Sequence, residues 1–310
     1  MPNCTEGFPS KPIEMGRLGR RIIEGRFDGG NMTSDAGVML LAALDRRLGL
    51  IDAAADCIKD PRDPDAIIHS VRDMLRQRVY GLVQGWEDLN DHQQLRADVA
   101  YQTAVGRDDE LASAPTLCRL EKLGTRAAAI KLHGVLVEQF VTSFKTAPAE
   151  LVLDFDATDS PLYGRQEDRF FHGYYDSYCY LPLYVFCGEQ LLAAYLRPSK
   201  IDGAQRGEAE NRIKEAQLGL FATRTSCQYF NANQFRLLLS ALAYTLVERL
   251  RALALQGTAL ASAQVSTLRS KLLKLAAVIT RNTRRIRLYF ASHWPSAPIF
   301  QQALQVLNTS

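Results

Sequence analysis

Apolar positions recur at helical spacing through the first half of the chain and change to strict alternation near its middle. Val38, Leu41, Leu44 and Leu48 fall on one helical face just after Asn31-Met-Thr-Ser34, with Ser34 available as the cap. Asp63-Pro64 reads as a helix start, a capping residue followed by proline at the first helical position. Ile67, Val71, Met74, Leu75, Val79 and Leu82 then share one face. Shorter helices are predicted over 88–96 and 115–123 and a longer one over 126–144, where Ile130, Val137, Val141 and Phe144 recur. Residues 1 to about 30, rich in Gly, Arg and Pro, read as an arm with a short strand around 21–27.

The period changes after Pro148. Over 151–156, Leu151, Leu153 and Phe155 alternate with Val152, Asp154 and Asp156, so a strand is predicted with the first set inward and both carboxylates on the other face. Ser160, Pro161 and Gly164 end it, and 165–180 reads as a polar and aromatic connection. Two runs, 181–187 and 190–196, flank Gly188-Glu189 as a hairpin, which completes a three-stranded antiparallel meander. Helices return over 208–220, 233–256 and 263–280, the last with Leu268, Leu272, Leu275 and Ile279 inward and Arg269, Lys271 and Lys274 outward. Arg285, Arg287 and Tyr289 alternate with Ile286, Leu288 and Phe290 as a strand with one basic face, and a helix over 299–307 follows Pro298. The reading is an α+β protein in three parts, a helical 1–147, a mixed 148–232 and a basic, helical 233–310.

Charge adds an asymmetry that the hydrophobic pattern does not show. Residues 1–248 hold 28 basic and 34 acidic residues, whereas the remainder holds nine basic and none acidic. Such a tail suits a polyanion, most simply nucleic acid; the plain alternative is a solvated basic face. No apolar run approaches the ~20 residues that span a bilayer, and residues 1–10 lack the apolar core of a secretion signal, so the expectation is a cytoplasmic protein with no membrane partner. The six cysteines form no C-x-x-C pair, which argues against a zinc site and a disulfide framework.

Candidate chemistry gathers in two stretches. Asp154-Phe-Asp156-Ala-Thr158 after an apolar strand matches the D-x-D-x-T pattern of haloacid dehalogenase-like phosphatases, but the later paired acids that such a site needs are absent. A calcium loop starting at Asp154 fails at its sixth position, Asp159, and its twelfth, Arg165. No P-loop or G-x-G-x-x-G occurs. His172, set among Phe170, Phe171, Tyr174 and Tyr175, fits a packed loop residue better than a catalyst. In the second stretch, 206–217, a helix brings Arg206, Glu210 and Gln217 near one face, either as a surface ion pair or as one carboxylate for a metal with one cation for a phosphate.

Together these residues resemble bacterial insertion-sequence transposases of the DDE class, the group with a Tyr-x-x-Arg-x-x-x-Glu signature and a ribonuclease H-like core. The resemblance covers nearly the whole chain and is carried by 27–37, 114–121, 154–164, 170–176, 181–184 and 206–215. It implies DNA as partner, with 1–147 a DNA-binding domain and 148–232 a catalytic core. It also implies three carboxylates holding two divalent ions, Mg2+ or Mn2+, for cleavage and strand transfer at element ends. By the resemblance Asp156 is the first acid and Glu210 the third. Arg206 would hold a phosphate or orient Glu210, with Asp154 and Thr158 in support. Arg269, Lys271, Lys274, Arg281, Arg284, Arg285 and Arg287 are the expected DNA contacts.

One departure alters that expectation. The third strand ends near Arg197 and the Glu helix begins by Glu208, and about ten residues cannot hold two strands of ~5 residues and helices of ~11. The segment carrying the second catalytic Asp is therefore expected to be deleted, with the signature tyrosine falling on Gly203 and Asp202 left in a loop. A catalytically defective transposase follows, with the first strand left as an open edge that invites a homodimer or pairing with an intact transposase. The contrasting reading is a non-catalytic DNA-binding regulator or inhibitor of transposition.

Overall fold

The computed structural model describes residues 12–200 and 210–309, with the side chains of Glu210 and Asn211 outside the description. A two-stranded ribbon, β1 (Ile13–Leu18) and β2 (Arg21–Gly25), and a short β3 (Asn31–Thr33) come first. Helices α1 (Val38–Leu48), α2 (Leu50–Asp56), α3 (Val71–Gln84), α4 (His92–Leu95), α5 (Val99–Val105), α6 (Ala114–Glu121) and α7 (Arg126–Val141) follow. The middle holds β4 (Asp154–Ala157), β5 (Ser160–Pro161), β6 (Phe170–His172), β7 (Ser177–Tyr180), β8 (Leu183–Cys187) and β9 (Gln190–Tyr195). Then come α8 (Glu210–Lys214), α9 (Phe230–Ala254), α10 (Val265–Leu268), β10 (Ala277–Arg281), β11 (Ile286–Phe290) and α11 (Ala297–Asn308). Helices with small antiparallel sheets make an α+β protein.

The core is built around α9. Of its 25 residues 18 are buried, and an α-helix apolar on all sides belongs inside. It packs against α1, α3, α6, α7, α11 and β9. One continuous hydrophobic core runs from Ala36 to Leu307 through all three parts of the sequence. The first and last parts are also joined directly, because β3 pairs antiparallel with β10. At that junction Gly37 passes so close to the chain that a Cβ would lie 2.4 Å from the Leu273 Cα and carbonyl oxygen.

Several predicted boundaries move, each for a local reason. Ser34 does not cap the first helix, which starts at Val38 after Gly37; its hydroxyl donates to Asp35 instead. Asp63-Pro64 starts only a single 3-10 turn, and α3 begins at Val71, where Ser70 and Asp73 form a reciprocal capping box. Helix 263–280 is the largest correction. Its first part is helical, its second is a π-type turn over 269–273, and Ala277–Arg281 is a strand. The β-branched run Val278-Ile279-Thr280 pairs with β11 throughout and, at Val278 and Ile279, with β3 as well, so tertiary pairing overrides the leucine spacing that precedes it. Leu268, Leu272, Leu275 and Ile279 are buried nonetheless.

The predicted meander is present as a sheet of order β4-β8-β9, with Asp154 opposite Phe186 and Asp156 opposite Tyr184. The connection over 165–180 contains structure that periodicity did not reveal, the small sheet β5-β7-β6. The faces of β4 are the reverse of expectation. Leu151, Leu153 and Phe155 are exposed, whereas Asp156 is buried at 8% exposure. The reason lies in the neighbouring strand, where Tyr184 and Phe186 face inward and Phe186 meets Tyr244 of α9 edge-on at 5.7 Å, and their cross-strand partners are the two aspartates. The outer edge of β9 is closed by side chains. His133 of α7 and Gln234 of α9 bind the backbone of Ala194, and Gln234 also accepts from the Leu196 amide at 2.7 Å. Among the described residues, β4 pairs on one side only, leaving its other edge open.

Candidate functional site

The helix that opens at Glu210 is seated beside the strand that carries Asp156. Arg212 makes the main tie. Its Nη2 donates to Asp154 at 2.5 Å and its Nη1 to the Gly188 carbonyl at 2.7 Å, with the guanidinium 5.2 Å from the Phe186 ring centre. One side chain thus grips β4, β8 and the β8–β9 turn. Further along, Gln217 donates to the Thr158 hydroxyl at 3.2 Å. Glu215 turns the opposite way, accepting from both terminal nitrogens of Arg251 and from the Val265 amide. A π-type turn over 215–219 lets the same short element meet β4, α9 and α10 at once.

Arg212 thus sets α8, whose backbone begins at Glu210, against the strand that carries Asp156. Asp156 lies on the buried face beside Tyr184, whose phenol is pushed up by burial and has no hydrogen-bond partner among the described residues. Arg206 lies outside the described residues, and Glu210 is placed by its backbone alone. Asp154 is committed to Arg212, and Thr158 to Gln217. Arg212 was not singled out from the sequence, since attention rested on the 206, 210 and 217 face; the signal available was a second arginine in that stretch facing an aspartate pair.

Of the residues that a two-ion clamp would draw on, Asp156 is described in full and Glu210 by its backbone alone. Such a site needs several carboxylate oxygens converging on two adjacent cations. Among the described residues no three His, Cys, Asp or Glu side chains come together in a way that could hold a metal.

The expected DNA contacts separate into two groups. Arg269 is turned inward, donating to the carbonyls of Leu82, Val83 and Gly219 at 3.2, 2.9 and 2.7 Å, and burial lowers its pKa. It closes the C-terminal end of α3, where Gly85 takes the left-handed conformation. Lys274 is half-buried and committed, 2.6 Å from Asp35 and over the Trp86 ring at 4.3 Å. Both were predicted to point outward on a helix that the structure replaces. Lys271, Arg281, Arg284, Arg285 and Arg287 are exposed. Arg281 lies 3.8 Å from Asp108, and among the described residues Lys271, Arg284, Arg285 and Arg287 form no ion pair.

The structure thus sets an acidic strand beside the helix that opens at Glu210 and, apart from them, an arginine-rich hairpin. A family model described as Transposase DDE domain group 1 matches residues 15–205 and 203–310, and the chain belongs to that transposase family. No curated protein and no solved structure matched. No helix among the described residues is long and apolar enough to cross a membrane.

Proposed function

We propose that this chain binds the ends of an insertion sequence but does not perform the metal-dependent cleavage and strand transfer of a complete DDE transposase. The observation that carries the reading is the seating of α8 against β4 by Arg212, which commits Asp154 to an ion pair and supports a pocket shared by the strand of Asp156 and the helix of Glu210. In this reading the sheet β4-β8-β9 is the first half of a ribonuclease H-like core. Only 14 residues separate Tyr195 from Glu210, too few for two more strands and their helices. The family match itself falls into two parts that meet at 203–205, which supports an internal deletion there.

With the middle aspartate gone, Asp156 and Glu210 are what remains to hold Mg2+ or Mn2+. DNA is held instead by charge, through Lys271, Arg281, Arg284, Arg285 and Arg287, with the helical 1–147 part against the flanking duplex. The open edge of β4 supports a homodimer or pairing with an intact transposase in the cytoplasm. A chain that occupies element ends without cutting them acts as a regulator or inhibitor of transposition. The phosphatase reading needs Asp154 as a nucleophile, and an aspartate gripped by Arg212 is poorly placed for that role.

The test is retention of labelled duplexes bearing the terminal repeats that flank the coding sequence, at increasing salt. Binding that weakens steeply between about 50 and 200 mM salt supports the proposal. Absence of binding at the lowest salt refutes it.

A further inference from the structure

We infer that the β10–β11 hairpin enters the major groove of duplex DNA as a two-stranded ribbon, with Arg285 and Arg287 reading guanine edges. The inference rests on the DNA-binding reading above and adds to it a groove, a face and two specificity-determining residues.

The hairpin outruns its sheet, with Arg281 at its end donating to Gln102 at 3.3 Å. β3 pairs with β10 only along 277–279, so beyond that point Thr280 to Arg287 continue as two strands alone. The two faces of this ribbon differ. Ala277 and Ile279 are buried, and Phe290 meets Phe300 of α11 at 5.7 Å, which fastens one face to the body. On the other, Thr280 is paired with Arg287 and Val278 with Tyr289, and Tyr289 is 53% exposed.

The tip is fixed in advance. Asn282 donates from its amide to the Arg285 carbonyl at 3.0 Å, and its side-chain oxygen accepts from the amides of Arg284 and Arg285 at 3.0 and 2.9 Å. These bonds leave the guanidinium groups outside the turn. They edge a cleft of about 670 Å³ whose lining includes Arg281, Arg284 and Arg285, against one carboxylate, Asp108.

Charge and shape then select the ligand. Four arginines within seven residues suit phosphate, and the major groove, about 12 Å wide, admits a two-stranded ribbon. Arginine at the ribbon face matches the paired acceptors of guanine, O6 and N7. The exposed Tyr289 ring next to Arg287 gives the face an apolar part that can meet a thymine methyl.

The experiment measures affinity of the full chain for two duplexes of one sequence, one with ordinary cytosines and one with glucosylated hydroxymethylcytosines that fill the major groove, each with and without netropsin in the minor groove. The expected result is at least a tenfold loss on the glucosylated duplex, no loss with netropsin, and little discrimination left in Arg285→Ala/Arg287→Ala. Thermal denaturation of that variant, matched to the parent, shows that the hairpin still folds. Equal affinity for both duplexes, or displacement by netropsin, overturns the ribbon while leaving DNA binding intact. Failure to bind either duplex at low salt overturns the DNA-binding reading with it.

Discussion

The Arg212 guanidinium sits 2.5 Å from the Asp154 carboxylate, and this contact ties the helix of Glu210 to the strand of Asp156. Both side chains are largely sheltered, so the bond is a charge-assisted one in a partly dry setting. Arg212→Ala should lower unfolding free energy by about 1.5–3 kcal/mol, measured in urea. A change within about 0.5 kcal/mol would mean that α8 is held chiefly by its contacts to α9.

Gly37 carries a second prediction. A methyl group there would meet the Leu273 backbone at 2.4 Å, and backbone cannot step aside as a flexible side chain does. Gly37→Ala should therefore cost about 2–4 kcal/mol or prevent folding, read by thermal denaturation and soluble yield. A parent-like melting temperature would contradict the interleaving of the first and last parts.

Glu121 bridges two arginines inside the protein, 2.8 Å from Arg236 and 3.6 Å from Arg78. Removing it strands both cations between α3 and α9. Glu121→Ala should cost about 3–5 kcal/mol in chemical denaturation.

Acid sensitivity follows from the histidines. Burial, together with Arg78, lowers the pKa of His92 well below its ordinary 6.5, and burial lowers that of His133, whose ring binds the Ala129 carbonyl and the Ala194 backbone as a neutral imidazole. Above pH 6.5 both are neutral folded and unfolded, and their contribution is complete. As the pH falls below 6.5, the unfolded chain takes up protons that the folded one refuses, so stability declines until the depressed values are reached. The expected slope is about 1.4 kcal/mol per pH unit for each proton, measured by urea titrations between pH 7.5 and 5. A flat profile would contradict it.

Much of the fold was legible because single segments carried it. The meander could be read from alternation and from Gly188-Glu189, and α9 from its leucine stripe. What escaped depended on neighbours. The faces of β4 are set by Tyr184 and Phe186, which are thirty residues away in sequence and turn the aspartates inward. β10 looks helical by leucine spacing and becomes a strand only through β3, more than 240 residues earlier. The charge of 249–310 was evident, but which cations are free was not, because Arg269 and Lys274 find their partners on α3 and beside β3. A pocket shared by the Asp156 strand and the Glu210 helix was suggested by the resemblance alone, and the Arg212–Asp154 contact that seats α8 on β4 left no mark in the periodicity.

In the proposed reading the acidic strand and the α8 helix form an incomplete pocket. The most direct measurement is cleavage of a labelled terminal-repeat duplex by the parent chain and by Asp156→Ala, in Mg2+ and then in Mn2+. Both proteins should retain the duplex equally, and neither should cut it above background. Metal-dependent cutting by the parent that disappears in Asp156→Ala would contradict it.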